Sequence, residues 1–442
     1  MKHKLIALKE MRPYLLLWFT QLISTLGSAM TAYALVLWSY GQSGSALQTA
    51  LLMVCSYAPY VLCSVFAGAL SDRWNPKHTM LICDALTAAC TLTILLLLKT
   101  GNLQTWHLYL VNAFSGLTNT LQQPASEVAT TALLPRKYYQ KVGGLKYLSN
   151  ALNSVMTPVI TTAIFGFWGL DAVILLDLIS FAIAFLVLLC FITIPRTASQ
   201  QSKESMGDSI RTGIHWLRSN RGLLHLMLFL AGINLVASMY NAALPALLLN
   251  KADETALSIV NAMSGFTMLA GSLLSSFLPA PKNRVKAIWG CLMLSMCTEN
   301  FLLAFGNHLW FWCIGVFLGW IAIPWMSANL EAVYRLNIPS HLQGRVFAAR
   351  NSFQFFTIPI GYFLGGFLTD NVFEPVMAAQ SSQSILTRLF GTDKGSGAAF
   401  LFAVLWLTGI AVCLIFRADK HIRRLPQHTE SNTAHNEKEK SL

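Results

Sequence analysis

Apolar runs long enough to cross a lipid bilayer follow one another from residue 14 to residue 417, and this succession constrains the chain more than any single motif. A spanning helix needs about 20 mostly apolar residues, because only a helix satisfies its own backbone polar groups where there is no water. Segments that qualify lie at 14–39, 47–70, 78–99, 104–126, 143–166, 169–194, 222–248, 255–278, 285–305, 309–334, 346–369 and 397–417. The chain is 55% hydrophobic and 11% charged, whereas soluble domains carry roughly 25% charge. A soluble enzyme is excluded, and the expected fold class is an all-α polytopic membrane protein with twelve transmembrane helices.

Charge placement orients those helices. With twelve spans both termini share one side, and if that side is the cytoplasm, 27 of the 31 Lys and Arg residues fall on it. The outer side keeps Lys99, Lys251, Arg388 and Lys394. This is the positive-inside asymmetry, so the formal charge of +12 marks membrane topology and not nucleic-acid binding. The expected location is a bacterial cytoplasmic membrane with both termini cytoplasmic.

The spans divide six and six. Residues 1–194 form an N-terminal half, 195–221 a cytoplasmic linker, 222–418 a C-terminal half with an outer loop at 371–396, and 419–442 a polar cytoplasmic tail with the composition of disorder. In the linker Met206, Ile210, Ile214 and Leu217 recur at helical spacing, which predicts an amphipathic helix on the inner membrane surface. A weak internal repeat supports two related halves: Asn150 and Pro158 in the fifth span are spaced like Asn351 and Pro359 in the eleventh, and the two prolines are candidate helix bends. The nine cysteines are scattered through apolar runs with no C-x-x-C pair, so they read as packing residues and not as a metal or redox centre. The basic N-terminus ahead of Tyr14 to Trp38 resembles a signal peptide, but its apolar stretch is long enough to be an uncleaved first span.

Between the second and third spans lies a charged hairpin, Gly68 to Met80, reading GALSDRWNPKHTM. Gly68 stands one helical turn before Asp72, so a neighbouring helix can approach closely where a carboxylate emerges, and that carboxylate can cap a helix in the other half. Gly68, Leu70, Asp72, Arg73 and Lys77 fit G-x-L-x-D-R-x-x-x-K and resemble the loop signature of the major facilitator superfamily, with Asn75-Pro76 in place of its usual Gly-Arg. The QQPA of Gln122 to Ala125, the LLP that follows it and the LDLISF of Leu176 to Phe181 resemble the branch containing macrolide efflux proteins and siderophore exporters.

The resemblance implies two six-helix halves that rock about a midplane cavity lined by spans 1, 4, 7 and 10. It makes Gly68, Asp72, Arg73 and Lys77 a conformational latch. Two departures bear on coupling: the position of an Arg in the fourth span of proton-coupled exporters is Asn112, four residues before Gly116, and the paired glycines that follow Pro158 in exporters are replaced by Val159 to Thr162.

Proton coupling calls for an intramembrane acid, and the candidates are Asp177, Asp84, Glu299, Glu127 and Glu331. Asp177 lies about 12 Å into the sixth span at about 1.5 Å per residue. An ionised Asp there costs roughly 2.5–3.5 kcal/mol, so it either carries a proton or is hydrogen-bonded. Coupling and structural pinning of the sixth span are both open to it. Glu127 and Glu331 are placed as gate or loop-anchoring groups at the cytoplasmic mouth. Substrate-cavity candidates are Gln21, Asn112, Asn119, Gln122, Asn234, Tyr240, Asn241, Trp325 and Asn329. No basic residue lies deep in spans 1, 4, 7 and 10, which favours an amphipathic, largely apolar solute over a small anion.

The implied function is secondary active transport: proton-driven export of an amphipathic drug-like (macrolide-type) or siderophore-like solute, with no cofactor. The alternatives are an importer or lipid-handling transporter of the same fold, or a non-transporting membrane interaction protein or membrane-bound transferase. No phosphate-binding loop or H-E-x-x-H is present, so neither ATP nor a catalytic metal is expected.

Overall fold

A computed structural model describes residues 2–71, 74–133, 139–194, 215–339, 346, 354–381 and 383–425. Asp72, Arg73, Asn351, most of the linker with its expected amphipathic helix, and the tail beyond residue 425 lie outside these residues. Among the described residues the regular elements are helices. The main ones are α1 (Lys2–Ser43), α2 (Ala46–Ser71), α3 (Pro76–Lys99), α4 (Thr105–Leu133) and α5 (Tyr139–Phe191) before the linker. After it come α6 (Arg221–Lys251), α7 (Glu254–Phe277), α8 (Arg284–Phe305), α9 (Leu309–Trp320), α10 (Ile323–Asn337) and α11 (Thr357–Leu368). A π-helical turn at Thr369–Phe373, α12 (Glu374–Ala378), α13 (Ile385–Phe390), α14 (Ser396–Ala418) and α15 (Lys420–Arg423) complete the described chain.

Local chemistry sets the helix ends. Asn75-Pro76, read as a turn, starts α3: Asn75 Oδ1 accepts from Lys77 N at 3.0 Å, and Pro76 occupies a first-turn position where its missing N–H costs nothing. Asp253 and Asn283 cap α7 and α8 in the same way, at 2.7 and 2.8 Å.

Nine helices among the described residues are long and apolar enough to cross a membrane. The expectation of twelve differs from that number in three places. The fifth and sixth predicted spans follow one another without a loop as α5, two helices that meet at a kink at Gly169, whose φ of +80° disfavours side-chain-bearing residues. The amide- and hydroxyl-rich α4 is absent from the nine, and of the eleventh span only the portion from residue 354 is described. The tenth predicted span is interrupted at 321–322, ahead of Pro324 in the first turn of α10.

Before the linker α1 packs on α5, α2 on α4, and α3 on both α4 and α5; after it α6 packs on α11 and α14, and α8 on α9, α10 and α14. The two groups meet mainly along α5 with α7 and α2 with α11. Both crossings depend on glycine. A Cβ on Gly265 would lie 2.8 Å from the Ser154 carbonyl carbon, and one on Gly366 would lie 2.6 Å from Leu47 Cα. Large apolar side chains such as Leu62, Phe167 and Phe277 are at least 71% exposed, the surface of a protein solvated by lipid.

The outer segment, expected as a loop or short helix, contains α12 and α13 docked on the bundle. Phe390 is buried against Phe305 and Phe400, with ring centroids 5.4 and 5.5 Å away. Glu374 Oε1 accepts from Gly395 N at 2.9 Å, tying the start of the segment to its end.

Candidate translocation site

A cavity of about 580 Å³ lies among α1 to α5. Its lining gathers seven residues singled out from the sequence: Gln21, Asp84, Asn112, Asn119, Gln122, Glu127 and Asp177. Two of its carboxyl groups are deeply buried. Asp84 on α3 is 5% exposed and accepts from Gln122 Nε2 of α4 at 2.5 Å, with Gln21 of α1 beside the same carboxyl. Asp177 is 4% exposed and accepts from Ser28 Oγ of α1 at 3.1 Å. The rest of the wall is mainly hydroxyl, amide and aliphatic, including Ser24, Thr87 and Ser115. Lys146, the one basic residue among the described lining, pairs with Glu127 at 3.0 Å, and both side chains are 60% exposed. Neither buried acid therefore has a cationic partner among the described lining residues. The arrangement can hold protons, or the cationic end of a solute, away from bulk water.

The other half repeats one element of this pattern. Glu299 on α8, 4% exposed, accepts from Trp320 Nε1 of α9 at 2.8 Å and hydrogen-bonds Tyr240 of α6. In helix order Asp84 and Glu299 correspond, each tying the first and fourth spans of its half to the third. Glu299, however, lies outside the lining of the 580 Å³ cavity.

The remaining candidates are not gathered into that cavity. Asn234 Nδ2 donates to Gln354 O at 2.9 Å, and the exposed Asn241 donates to Ala237 O of its own helix at 2.9 Å. The buried Asn329 donates to Trp325 O at 2.9 Å and accepts from Arg284 Nη1 at 3.2 Å. Trp325 packs half-buried beside the core, and Glu331 is half-buried on α10. Pro158 and Pro359 sit within α5 and α11. Of the proposed latch, Gly68 lies near the end of α2, and Lys77 Nζ donates to Leu189 O at 2.9 Å and Ile192 O at 2.8 Å, the free carbonyls at the end of α5.

Sequence reasoning missed a group at the opposite end of the bundle. Asp370, just after α11, receives hydrogen bonds from Ser45 Oγ at 2.6 Å, Ala46 N at 3.1 Å and Leu47 N at 2.8 Å, capping the start of α2 across the two halves. Tyr40 accepts from Asn250 at 2.6 Å, and Tyr33 bonds Ser258 at 3.2 Å, so the halves are also joined at this end through α1, α6 and α7. Only the side of Asp370 next to an expected loop was visible in the sequence; its partner 325 residues earlier was not.

Among the described residues no group of His, Cys, Asp and Glu has the spacing of a metal site. The sequence matches the Major Facilitator Superfamily profile over residues 17–362. Macrolide efflux protein A of Streptococcus pyogenes is 23% identical over 363 residues, covering 80% of this chain and 89% of that one. An uncharacterised MFS-type transporter of Bacillus subtilis, YkuC, is 23% identical over 360 residues, covering 78% and 83%. Among solved structures, a point mutant of the nucleoside transporter NupG superposes with a TM-score of 0.67 at 14% identity, covering 91% of this chain and 99% of that one. A bacterial homologue of the human lysosomal transporter Spinster, inward-facing and unoccupied, superposes with a TM-score of 0.63 at 14% identity, covering 94% and 98%. The profile spans most of the chain and the helices pack as such a transporter requires: this protein belongs to the major facilitator superfamily, as a multi-pass membrane transporter of small molecules.

Proposed function

We propose that the protein exports an amphipathic, drug-like solute across a bacterial cytoplasmic membrane, driven by inward proton movement. One observation carries this reading: a cavity of about 580 Å³ holds two buried carboxyl groups, Asp84 and Asp177, with no cation beside either among the described lining residues. A buried acid without a counter-ion is held most cheaply as the neutral form, and its ionisation becomes favourable when water or a cationic solute reaches it. Exchange of proton for solute at one carboxyl is the elementary step of an antiporter. The wall supplies hydroxyl and amide groups that can orient a solute, and Asn112, in place of an arginine, leaves the acids as the charged groups of its deep part. The macrolide efflux relatives support export of a macrolide-type solute in particular.

Both termini are assigned to the cytoplasm on the distribution of Lys and Arg, which puts the α1–α2 turn outside. The halves, residues 1–194 and 222–418, then alternate about the α2–α11 and α5–α7 contacts. The closed end, with Asp370 on the start of α2, is the outer one. Asp72 plays the opposing part at the inner end.

Retention of a macrolide, a cationic dye and a catechol siderophore in pump-deficient cells, with and without an uncoupler, tests this. Wild type lowers macrolide retention, the uncoupler abolishes the effect, and Asp84→Asn or Asp177→Asn removes energised export while leaving the protein in the membrane. Unchanged retention of every solute, or raised uptake, overturns it.

A further inference from the structure

A second cavity, of about 540 Å³, lies at the end of the bundle assigned to the cytoplasm, between the starts of α6 and α8, the end of α14 and α15. Its chemistry is two-sided. Toward the membrane it is floored by side chains of three candidate spans, with the rings of Phe229 and Phe416 tilted against each other at 5.0 Å. At the rim stand Lys286, Arg417 and Arg423, and no acid is among its described lining residues.

The two arginines are held in place without being neutralised. The Arg417 guanidinium lies 4.5 Å from the ring centre of Trp289, whose Nε1 donates to Cys413 O at 2.8 Å and so fixes the ring. Arg423 Nε donates to Arg417 O at 2.7 Å, bringing the second guanidinium to the same corner and leaving its terminal N–H groups unspent. The one carboxylate nearby among the described residues is consumed elsewhere. Asp419 Oδ1 accepts from His421 N and Ile422 N at 2.7 and 3.2 Å, and Oδ2 contacts His225 Nδ1 at 2.6 Å.

We infer that this cavity binds the headgroup of an anionic phospholipid, with the phosphate on Arg417, Arg423 and Lys286 and the first acyl carbons over the Phe229–Phe416 floor. An apolar anion-free solute leaves the cations unused, and a free phosphate leaves the aromatic floor unused; a phospholipid satisfies both. The three spans and α15 meet here, so an occupant ties α6, α8 and α14 of one half together. The inference rests on the membrane orientation given above and not on the exported solute, so a lipid-binding readout fails or succeeds independently of transport.

The test uses the purified full-length protein in neutral detergent, with its melting midpoint followed on titration with phosphatidylglycerol, phosphatidylcholine or inorganic phosphate. Phosphatidylglycerol raises the midpoint; phosphatidylcholine and phosphate do so only weakly. In Arg417→Gln/Arg423→Gln the half-saturating phosphatidylglycerol concentration rises about 30-fold, from about 1 kcal/mol per basic residue. A double variant with the same charge loss outside the cavity, Lys282→Gln/Lys420→Gln, titrates like wild type. An equal response to phosphatidylcholine, equal weakening in both double variants, or a full shift with phosphate alone overturns the proposal. If Arg417→Gln/Arg423→Gln does not fold, Lys286→Gln alone must still weaken the titration several-fold.

Discussion

Replacing Asp370 by Asn tests the outer latch directly. The carboxylate receives three hydrogen bonds, from Ser45 Oγ, Ala46 N and Leu47 N, at 2.6, 3.1 and 2.8 Å. Hydrogen bonds to a charged group contribute about 1.5–3 kcal/mol each, and a charge at a helix N-terminus about 0.3–1 kcal/mol. Asp370 is half-buried, so the lower ends of these ranges apply. Asn keeps one acceptor oxygen and can still cap, losing the charge and roughly one of the bonds. The loss is about 2 kcal/mol, which moves the balance between outer-closed and outer-open states by about 30-fold toward open. Asp370→Ala removes every acceptor and moves it further.

The assay is a pair of spin labels across the outer mouth on a cysteine-free background. Gly41 on α1, where an added Cβ meets nothing within 4 Å, serves on one side, and the exposed Ala379 serves on the other. Wild type gives mainly the short distance; Asp370→Asn gives a second, longer one as the major population. A short-to-long ratio within twofold of wild type refutes the latch, because the three bonds would then contribute equally to both states.

Other perturbations follow from the same geometry. Gly366→Val places a Cβ 2.6 Å from Leu47 Cα, so it blocks closure of α11 on α2 and abolishes transport while membrane expression persists, as efflux and immunoblot together report. Glu299→Gln keeps acceptor capacity for Trp320 and Tyr240 and changes the melting midpoint little, whereas Glu299→Ala orphans both donors and leaves a void, a loss of roughly 2–4 kcal/mol visible as a drop of several degrees. At Asp419 burial alone raises the carboxyl pKa, but the hydrogen bonds from His225 and the His421 and Ile422 amides outweigh it and hold it below the usual carboxylate range. A depressed folded-state pKa stabilises at neutral pH and loses that contribution as pH falls through it. Protection of the α15 amides from hydrogen exchange, relative to their intrinsic rates, therefore falls below about pH 4 and Asp419→Asn removes that step.

The fold was largely legible because a bilayer imposes length and polarity on every span, and those properties are local. The helix count was less so: the break read between residues 166 and 169 coincides with the kink at Gly169, but the amide- and hydroxyl-rich α4 is not among the nine apolar helices of the described residues. The acids of the cavity stood out as charges in apolar sequence. Counting from span ends gives depth along a helix and not burial: Asp84 and Asp177 are equally buried, at 5% and 4%, and α3 turns Asp84 toward Gln122. The Asp370 contacts and the Arg417–Trp289 pair were invisible, since each joins residues far apart in sequence whose individual signals are those of ordinary loop and helix-end charges. Asn234 and Asn329, read from the sequence as solute-binding candidates, donate their amides to the backbone oxygens of Gln354 and Trp325, contacts that the sequence did not show.

The docked segment containing α12 and α13 has an immunological consequence. In the orientation proposed above, with the turn at Gly169 reduced to a single residue, the N-terminal half presents little to the exterior beyond the short links at 44–45 and 100–104, while the C-terminal half presents a folded cap. Antibodies or phage selected on whole cells should recognise that cap above all. Because Phe390 roots it on α8 and α14, such a binder marks the protein by its C-terminal half and so suits it as a fiducial for imaging.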